Sequence, residues 1–164
     1  RSDSVEKDYF VKKVLLEDVV HTAIMNYMDS LIQKKISLDV YNLENYVYID
    51  EKWITFIICQ VLQNSIKYLN KPEKIIKIHS ENNKNNVVLV IEDNGEGILD
   101  HDLPRVFEYG FTGTDRQKQY STGIGLYLCK KLCNKMNLDI KIESQYKKFT
   151  KVKIIFPKTN LYRQ

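Results

Sequence analysis

The chain has 164 residues, 43% of them hydrophobic and 28% charged, with a formal net charge of +4. That is the composition of one globular domain, long enough to bury its own core. Its lysines are scattered without a dense basic stretch interleaved with aromatics, which gives nucleic-acid binding little support, and its longest apolar runs fall well short of the roughly 20 residues that span a bilayer.

No signal peptide is visible. A start at Arg1 inside a polar segment predicts a piece of a longer protein, with residues 1–8 a linker from an upstream domain, 9–158 the domain proper and 159–164 a tail. The cysteines are three, Cys59, Cys129 and Cys133. An odd count in apolar helical settings argues against a disulfide framework. Cys129 and Cys133, one helical turn apart with no histidine pair, read as small buried hydrophobes.

Tyr9 to Leu16 alternates loosely and predicts an edge strand. Glu17 to Lys35 predicts one helix, with acids at its start, Lys34-Lys35 at its end, and Val19, Val20, Ala23, Ile24, Tyr27, Leu31 and Ile32 along its apolar face. Ile36 to Val40 and Tyr46 to Asp50 read as short strands. A second helix starts at Asp50-Glu51, runs to about Leu69 and is stopped by Asn70-Lys71-Pro72. Ile54, Ile58, Val61, Leu62, Ser65, Ile66 and Leu69 form its buried arc. Gln60, Asn64, Lys67 and Tyr68 form another arc, which by itself would be an ordinary solvated face.

Lys74 to Ser80 alternates, Glu81 to Asn86 is a polar hairpin loop, and the apolar run Val87 to Ile91 predicts a buried central strand reaching Glu92. Asp93-Asn94-Gly95-Glu96-Gly97-Ile98 follows. Asn94-Gly95 is a strong turn signal. A carboxylate thus sits where a rigid strand ends, and the two glycines after it let a ligand approach the backbone. The long stretch between Gly97 and Gly123 has only a hint of helix near Leu103 to Phe107, and with Gly110, Gly113 and the polar run Asp115 to Gln119 it predicts a lid over a site. Ser121-Thr122-Gly123-Ile124-Gly125-Leu126 opens a third helix, 123–136, whose first amides can take an anion. Leu138 to Glu143 and Lys151 to Phe156 alternate again. Alternating strands imply a sheet wet on one face and covered by three helices on the other, an α+β two-layer sandwich. An acceptor at one end of the site and an anion cradle at the other suit a nucleotide.

Either glycine pattern alone is common. Together with Gln60-x-x-x-Asn64-x-x-Lys67-Tyr68, and with Val106-Phe107-Glu108-Tyr109-Gly110-Phe111 between them, they resemble, in order and spacing, the ATP-binding domain of sensor histidine kinases in the GHKL superfamily. The resemblance spans nearly the whole chain and implies the Bergerat form of the two-layer sandwich, a mixed sheet with a long ATP lid. It implies ATP and Mg2+ as ligands. Asp93 would accept a hydrogen bond from the adenine amino group, Gly95 and Gly97 would leave room for the base, Ile98 of the same glycine box would also bind the nucleotide, and Tyr68 would stack on the base. Asn64 would ligate magnesium and Lys67 would contact phosphate. Phe111 closes the phenylalanine box, and Thr122, Gly123, Ile124, Gly125 and Leu126 would cradle the phosphates. Arg116 or Lys118 would act on the γ-phosphate.

Gyrase-type relatives carry a water-activating glutamate near Gln60, and an amide cannot serve as a general base. Gln60 therefore favours phosphoryl transfer over hydrolysis. The family's acceptor histidine is usually followed by an acid, with a proline a few positions on. His21 is followed by Thr22-Ala23-Ile24 and reads as a surface or partly buried histidine. The resemblance thus implies a catalytic domain, monomeric by itself, that phosphorylates a histidine on a separate dimerisation domain. The whole would be a homodimeric bacterial membrane protein, with this domain in the cytoplasm and a response regulator downstream. Gly110-Phe111-Thr112-Gly113 and Ser121 to Lys131 also resemble the kinases that work with peptide-antibiotic transporters. The alternatives are a clamp-type ATPase of the same superfamily, a serine kinase of the anti-sigma-factor type, and a nucleotide-binding module without catalysis.

Overall fold

The computed structural model describes residues 9–113 and 124–158. The predicted linker and tail, and much of the predicted lid, lie outside the described residues. In chain order the elements are β1 (Lys12–Leu15), α1 (Leu16–Asn26), α2 (Met28–Gln33), β2 (Ser37–Tyr41), β3 (Tyr46–Ile49), α3 (Glu51–Lys67), β4 (Ile75–Asn82), β5 (Asn86–Asp93), a short 3-10 turn (Leu103–Arg105), α4 (Gly125–Lys135), β6 (Asp139–Gln145) and β7 (Phe149–Pro157).

Five strands form one mixed sheet in the order β2-β4-β5-β7-β6. Only the β2–β4 pair is parallel. The helices cover one face, giving the expected two-layer sandwich. β5 lies at its centre, and Val87 to Ile91 are buried on both faces. Val87, Leu89 and Ile91 join Ile54, Ile58, Leu62 and Ile76 in the core beneath the helices. Burying each of the larger of these side chains contributes about 1.5–3 kcal/mol. On the open face, Asp39, Lys77, Glu92, Lys151 and Glu143 stand in register across all five strands, so charges alternate along that row.

Two expectations need correcting. The first helix is not continuous: it breaks at Tyr27 (φ −117°), whose N–H turns back to the Ile24 carbonyl at 3.1 Å. α2 restarts from there, and Ile32 stands 67% exposed where one continuous helical period put it on the apolar face. Neither glycine nor proline marks this break. The Tyr9 to Leu16 strand is also not an edge of the main sheet. Its ordered part, β1, pairs antiparallel with β3 in a separate two-stranded ladder, Lys12 opposite Ile49.

α3 begins where Asp50 caps it, the carboxylate accepting the Trp53 N–H at 3.0 Å and the Phe10 N–H at 2.8 Å. Trp53, Ile54, Ile57, Ile58, Val61, Leu62, Ser65 and Ile66 are its buried face. Cys129 and Cys133 are fully buried in the core, and burial pushes both thiols up to about 12, so they act as inert hydrophobes. No helix among the described residues is long and apolar enough to cross a membrane.

Candidate functional site

A cavity of about 430 Å³ opens between α3, the ends of β5 and β7, and the start of α4. The second arc of α3 faces it: Gln60, Asn64, Lys67 and Tyr68 all line its wall. Residues spaced three and four apart share a helix face, so one stripe reaches from the helix middle to its C-cap at Tyr68. The stripe is thus a half-buried wall of the cavity.

Asp93 closes one end. It is the last residue of β5, it lines the cavity and it is only 5% exposed. Burial pushes its carboxyl up to about 6, opposed by the Gly95 N–H at 2.9 Å, by the Ser65 hydroxyl and by the charge of Lys71. The carboxylate therefore keeps acceptor capacity in a largely dry setting.

The turn after Asp93 is fixed from three sides. Asn94 accepts the Ile75 N–H at 2.9 Å and donates to the Glu73 carbonyl at 2.8 Å, tying the turn to the start of β4. On the α3 side, the Glu96 N–H donates to the Tyr68 carbonyl, and a Cβ on Gly95 would lie 2.7 Å from that same oxygen. On the β6–β7 side, Gly97 has φ +72° and any Cβ there would collide with the Gln145 carbonyl. The Lys147 N–H donates to the Glu96 carbonyl, and the Ile98 N–H to the Ser144 hydroxyl at 2.8 Å. Asn94-Gly95 is thus no hairpin but a rigid shelf, wedged between Tyr68 and the β6–β7 hairpin.

At the other end stands the N-terminus of α4. Gly125 and Leu126 line the cavity, and Gln60 leans over Gly125. Ile98 and Phe111 line it as well. Two expected residues are near but not in the wall. Gly95 lies buried behind Asp93, and Ile124 is the N-cap of α4, its carbonyl accepting the Leu128 N–H at 2.9 Å. Arg116, Thr122 and Gly123 lie outside the described residues, as does Lys118.

The cavity also holds residues that the sequence did not mark as part of a site. Val61, Ile142, Thr150 and Val152 give it an apolar floor. Asp102, 5% exposed, and Tyr146 of the β6–β7 hairpin complete the rim. A buried acid at position 102 had no sequence signal beyond its place before Leu103-Pro104. No group of three or more His, Cys, Asp or Glu able to hold a metal stands among the described residues. A cation at this site would need the Asn64 amide and oxygens brought by a ligand. None of His21, His79 and His101 lines the cavity: His21 is exposed, His79 stacks on Tyr41 at 4.8 Å, and His101 lies 3.4 Å from Asp102.

The chain is 38% identical over 157 residues to the sensor protein BceS of Halalkalibacterium halodurans, covering 95% of this chain and 46% of that one. It is 36% identical over 162 residues to the sensor protein kinase GraS of Staphylococcus aureus, covering 98% of this chain and 46% of the relative. It thus spans about half the length of the curated relatives it matches. In fold it is similar to a mycobacterial sensor histidine kinase, MprB, with a TM-score of 0.77 at 20% identity, over 90% of this chain and 97% of that one. Residues 49–160, which include α3, both glycine motifs and the strands that floor the cavity, match the family of histidine kinase-, DNA gyrase B- and HSP90-like ATPases. This chain belongs to that family and forms its ATP-binding catalytic domain.

Proposed function

We propose that this domain is the catalytic part of a two-component sensor histidine kinase, and that it passes the γ-phosphate of ATP to a histidine on a separate dimerisation domain. The observation that carries the proposal is the pairing of a buried acceptor, Asp93, at one end of the cavity with an amide, Gln60, at the phosphate end. The first recognises an exocyclic amine. The second cannot take a proton from water. Such a site holds ATP without consuming it until a nucleophile arrives.

In this reading Asp93 accepts the adenine amino hydrogen, Gly95 and Gly97 leave room for the ring, Ile98 lines the cavity beside it, and Tyr68 stacks on it. Asn64 would offer its amide oxygen to a magnesium ion, which favours hard oxygen ligands and would draw others from the nucleotide and water. That ion would neutralise charge on the phosphates. Lys67 adds a point charge, and Gly125 and Leu126 supply amides at the helix start. Phe111 closes the wall beside them. Arg116, Thr122, Gly123 and Ile124 belong to the same reading through the family motif. The incoming histidine nitrogen forms a bond to the γ-phosphorus as the bond to the β–γ bridging oxygen breaks, and ADP leaves. The full-length protein would be a membrane-anchored homodimer in the peptide-antibiotic-transporter subgroup, with this domain in the cytoplasm and a response regulator taking the phosphate. The likeness to a sensor protein, BceS, and a sensor protein kinase, GraS, supports the sensor-kinase part of that reading.

The test is radiolabelled ATP with magnesium, given to the chain alone and to the chain mixed with a histidine-bearing dimerisation domain. The chain alone should bind ATP, turn it over slowly and stay unlabelled. The mixture should gain an acid-labile phosphoramidate on the partner, and Asn64→Ala should remove it. Rapid turnover by the chain alone would favour a clamp ATPase, and an acid-stable label a serine kinase.

A further inference from the structure

The acceptor at Asp93 leaves one question of specificity open. A carboxylate that receives an exocyclic amine accepts it equally from adenine and from cytosine, since both carry an amino group on the ring. Asp93 alone therefore does not sort the purine adenine from the pyrimidine cytosine. What separates those two is ring area, and so the side chains that stack on the base.

Two tyrosines stand where such stacking would occur, on opposite flanks of the glycine shelf. Tyr68 touches it from the α3 side: its carbonyl holds the Glu96 N–H and lies 2.7 Å from where a Cβ on Gly95 would sit. Tyr146 touches it from the hairpin side: its Cα lies 3.0 Å from where a Cβ on Gly97 would sit. Both residues line the same cavity as Asp93. The hairpin that carries Tyr146 is tied down at each end. The Lys147 N–H reaches the Glu96 carbonyl, the Lys147 carbonyl accepts from Lys71 at 2.7 Å, and Ser144 bridges the Ile98 N–H to the Phe149 carbonyl. The Lys147 ammonium stands over the Tyr146 ring, 5.6 Å from its centre. The ring is therefore held on a fixed turn with one face already engaged.

We propose that Tyr146 is a specificity-determining residue, a second aromatic wall of the base subsite opposite Tyr68, and that it makes the site prefer adenine over cytosine. This deepens the nucleotide reading and rests on it. The larger purine ring gains more from a second wall than the smaller pyrimidine does, while the phosphate end of the cavity is indifferent to it.

The experiment measures dissociation constants of ATP, CTP and inorganic tripolyphosphate, each with magnesium, for the whole chain and for Tyr146→Ala, Tyr146→Phe and Asp93→Asn. Tyr146→Ala should weaken ATP roughly tenfold or more, the loss expected for one base–aromatic stack. It should weaken CTP less, so that the ATP-to-CTP preference narrows, and leave tripolyphosphate unchanged. Tyr146→Phe, which keeps the ring, should bind all three as the parent does. If Tyr146→Ala holds ATP as tightly as the parent while Asp93→Asn still loses it, the inference about Tyr146 fails and the nucleotide reading stands. If ATP, CTP and tripolyphosphate all weaken equally, Tyr146 supports the fold of the hairpin and does not read the base, which also overturns the inference. If the unmodified chain binds no nucleotide, both readings fall together.

Discussion

Gln60 Oε1 lies 2.5 Å from the point a Cβ on Gly125 would occupy. The middle of α3 and the start of α4 therefore touch through one amide and one missing side chain. The obstructing atom is the far end of a flexible side chain, so Gly125→Ala should fold. Alanine is the better helix former, which should offset part of the cost of moving Gln60. The displaced amide would crowd the phosphate end, and ATP affinity should fall. In a Gln60→Ala background the same change should cost much less affinity. Calorimetry on the double-mutant cycle reads this coupling, and an equal loss in both backgrounds would refute it.

Asp93→Asn should abolish ATP binding and at the same time stabilise the empty domain at neutral pH. The sign follows from the direction of its shift. Burial raises the carboxyl from 3.8 to about 6, so the folded state holds the proton more tightly than the unfolded one. The stability this contributes is full below about pH 4 and is lost as pH rises through about 6. A shift of that size corresponds to at most about 3 kcal/mol. Asparagine keeps an oxygen for the Gly95 N–H and carries no charge to bury. Urea unfolding at acid and neutral pH should show parent and variant alike when acid and the variant ahead when neutral. A variant that is less stable at neutral pH would contradict the burial argument.

Base binding should release a proton near pH 6. An amino donor favours the ionised form of Asp93, so binding pulls its carboxyl back down. With adenosine, which has no phosphate to titrate, affinity should rise with pH and level off above about 7. Calorimetry in two buffers of different ionisation enthalpy would detect the proton. Affinity that is flat across this range would mean that Asp93 does not meet the amine.

Gly97→Ala should be the more damaging of the glycine changes. Its φ of +72° is strained for any side chain, and a Cβ would drive into the Gln145 carbonyl. Strain in this backbone region costs about 1–2 kcal/mol before the clash is counted. The shelf and the hairpin should separate, lowering both the thermal midpoint and ATP affinity. A variant with an unchanged midpoint would show that the contact is soft.

What could be read in the sequence was local and periodic. The run Val87 to Ile91 with Asp93 at its end, and the α3 stripe from Gln60 to Tyr68, each state their own geometry, because spacing along one element decides which side chains share a face. Tyr146 and Asp102 were silent for the opposite reason. They reach the cavity only through pairing between distant segments, β6 against β7 and the shelf against the hairpin, and no local pattern encodes that. The break at Tyr27 was equally hidden, since hydrophobic spacing runs on through it and only backbone hydrogen bonding reveals the turn.

The strand order carries a consequence for the growing chain. β7, which pairs with β5 along its whole length, comes from residues 149–157, after every other strand of the sheet. As the polypeptide emerges from the ribosome, β4 can protect one edge of β5 early, but the other edge of the most apolar strand stays open until the last strand arrives. Translation that stalls before Phe149 would leave that edge ready to pair with another chain, a ready seed for aggregation. The same late strand contributes Thr150 and Val152 to the cavity floor, so the ATP site cannot be complete before synthesis of this domain is nearly done.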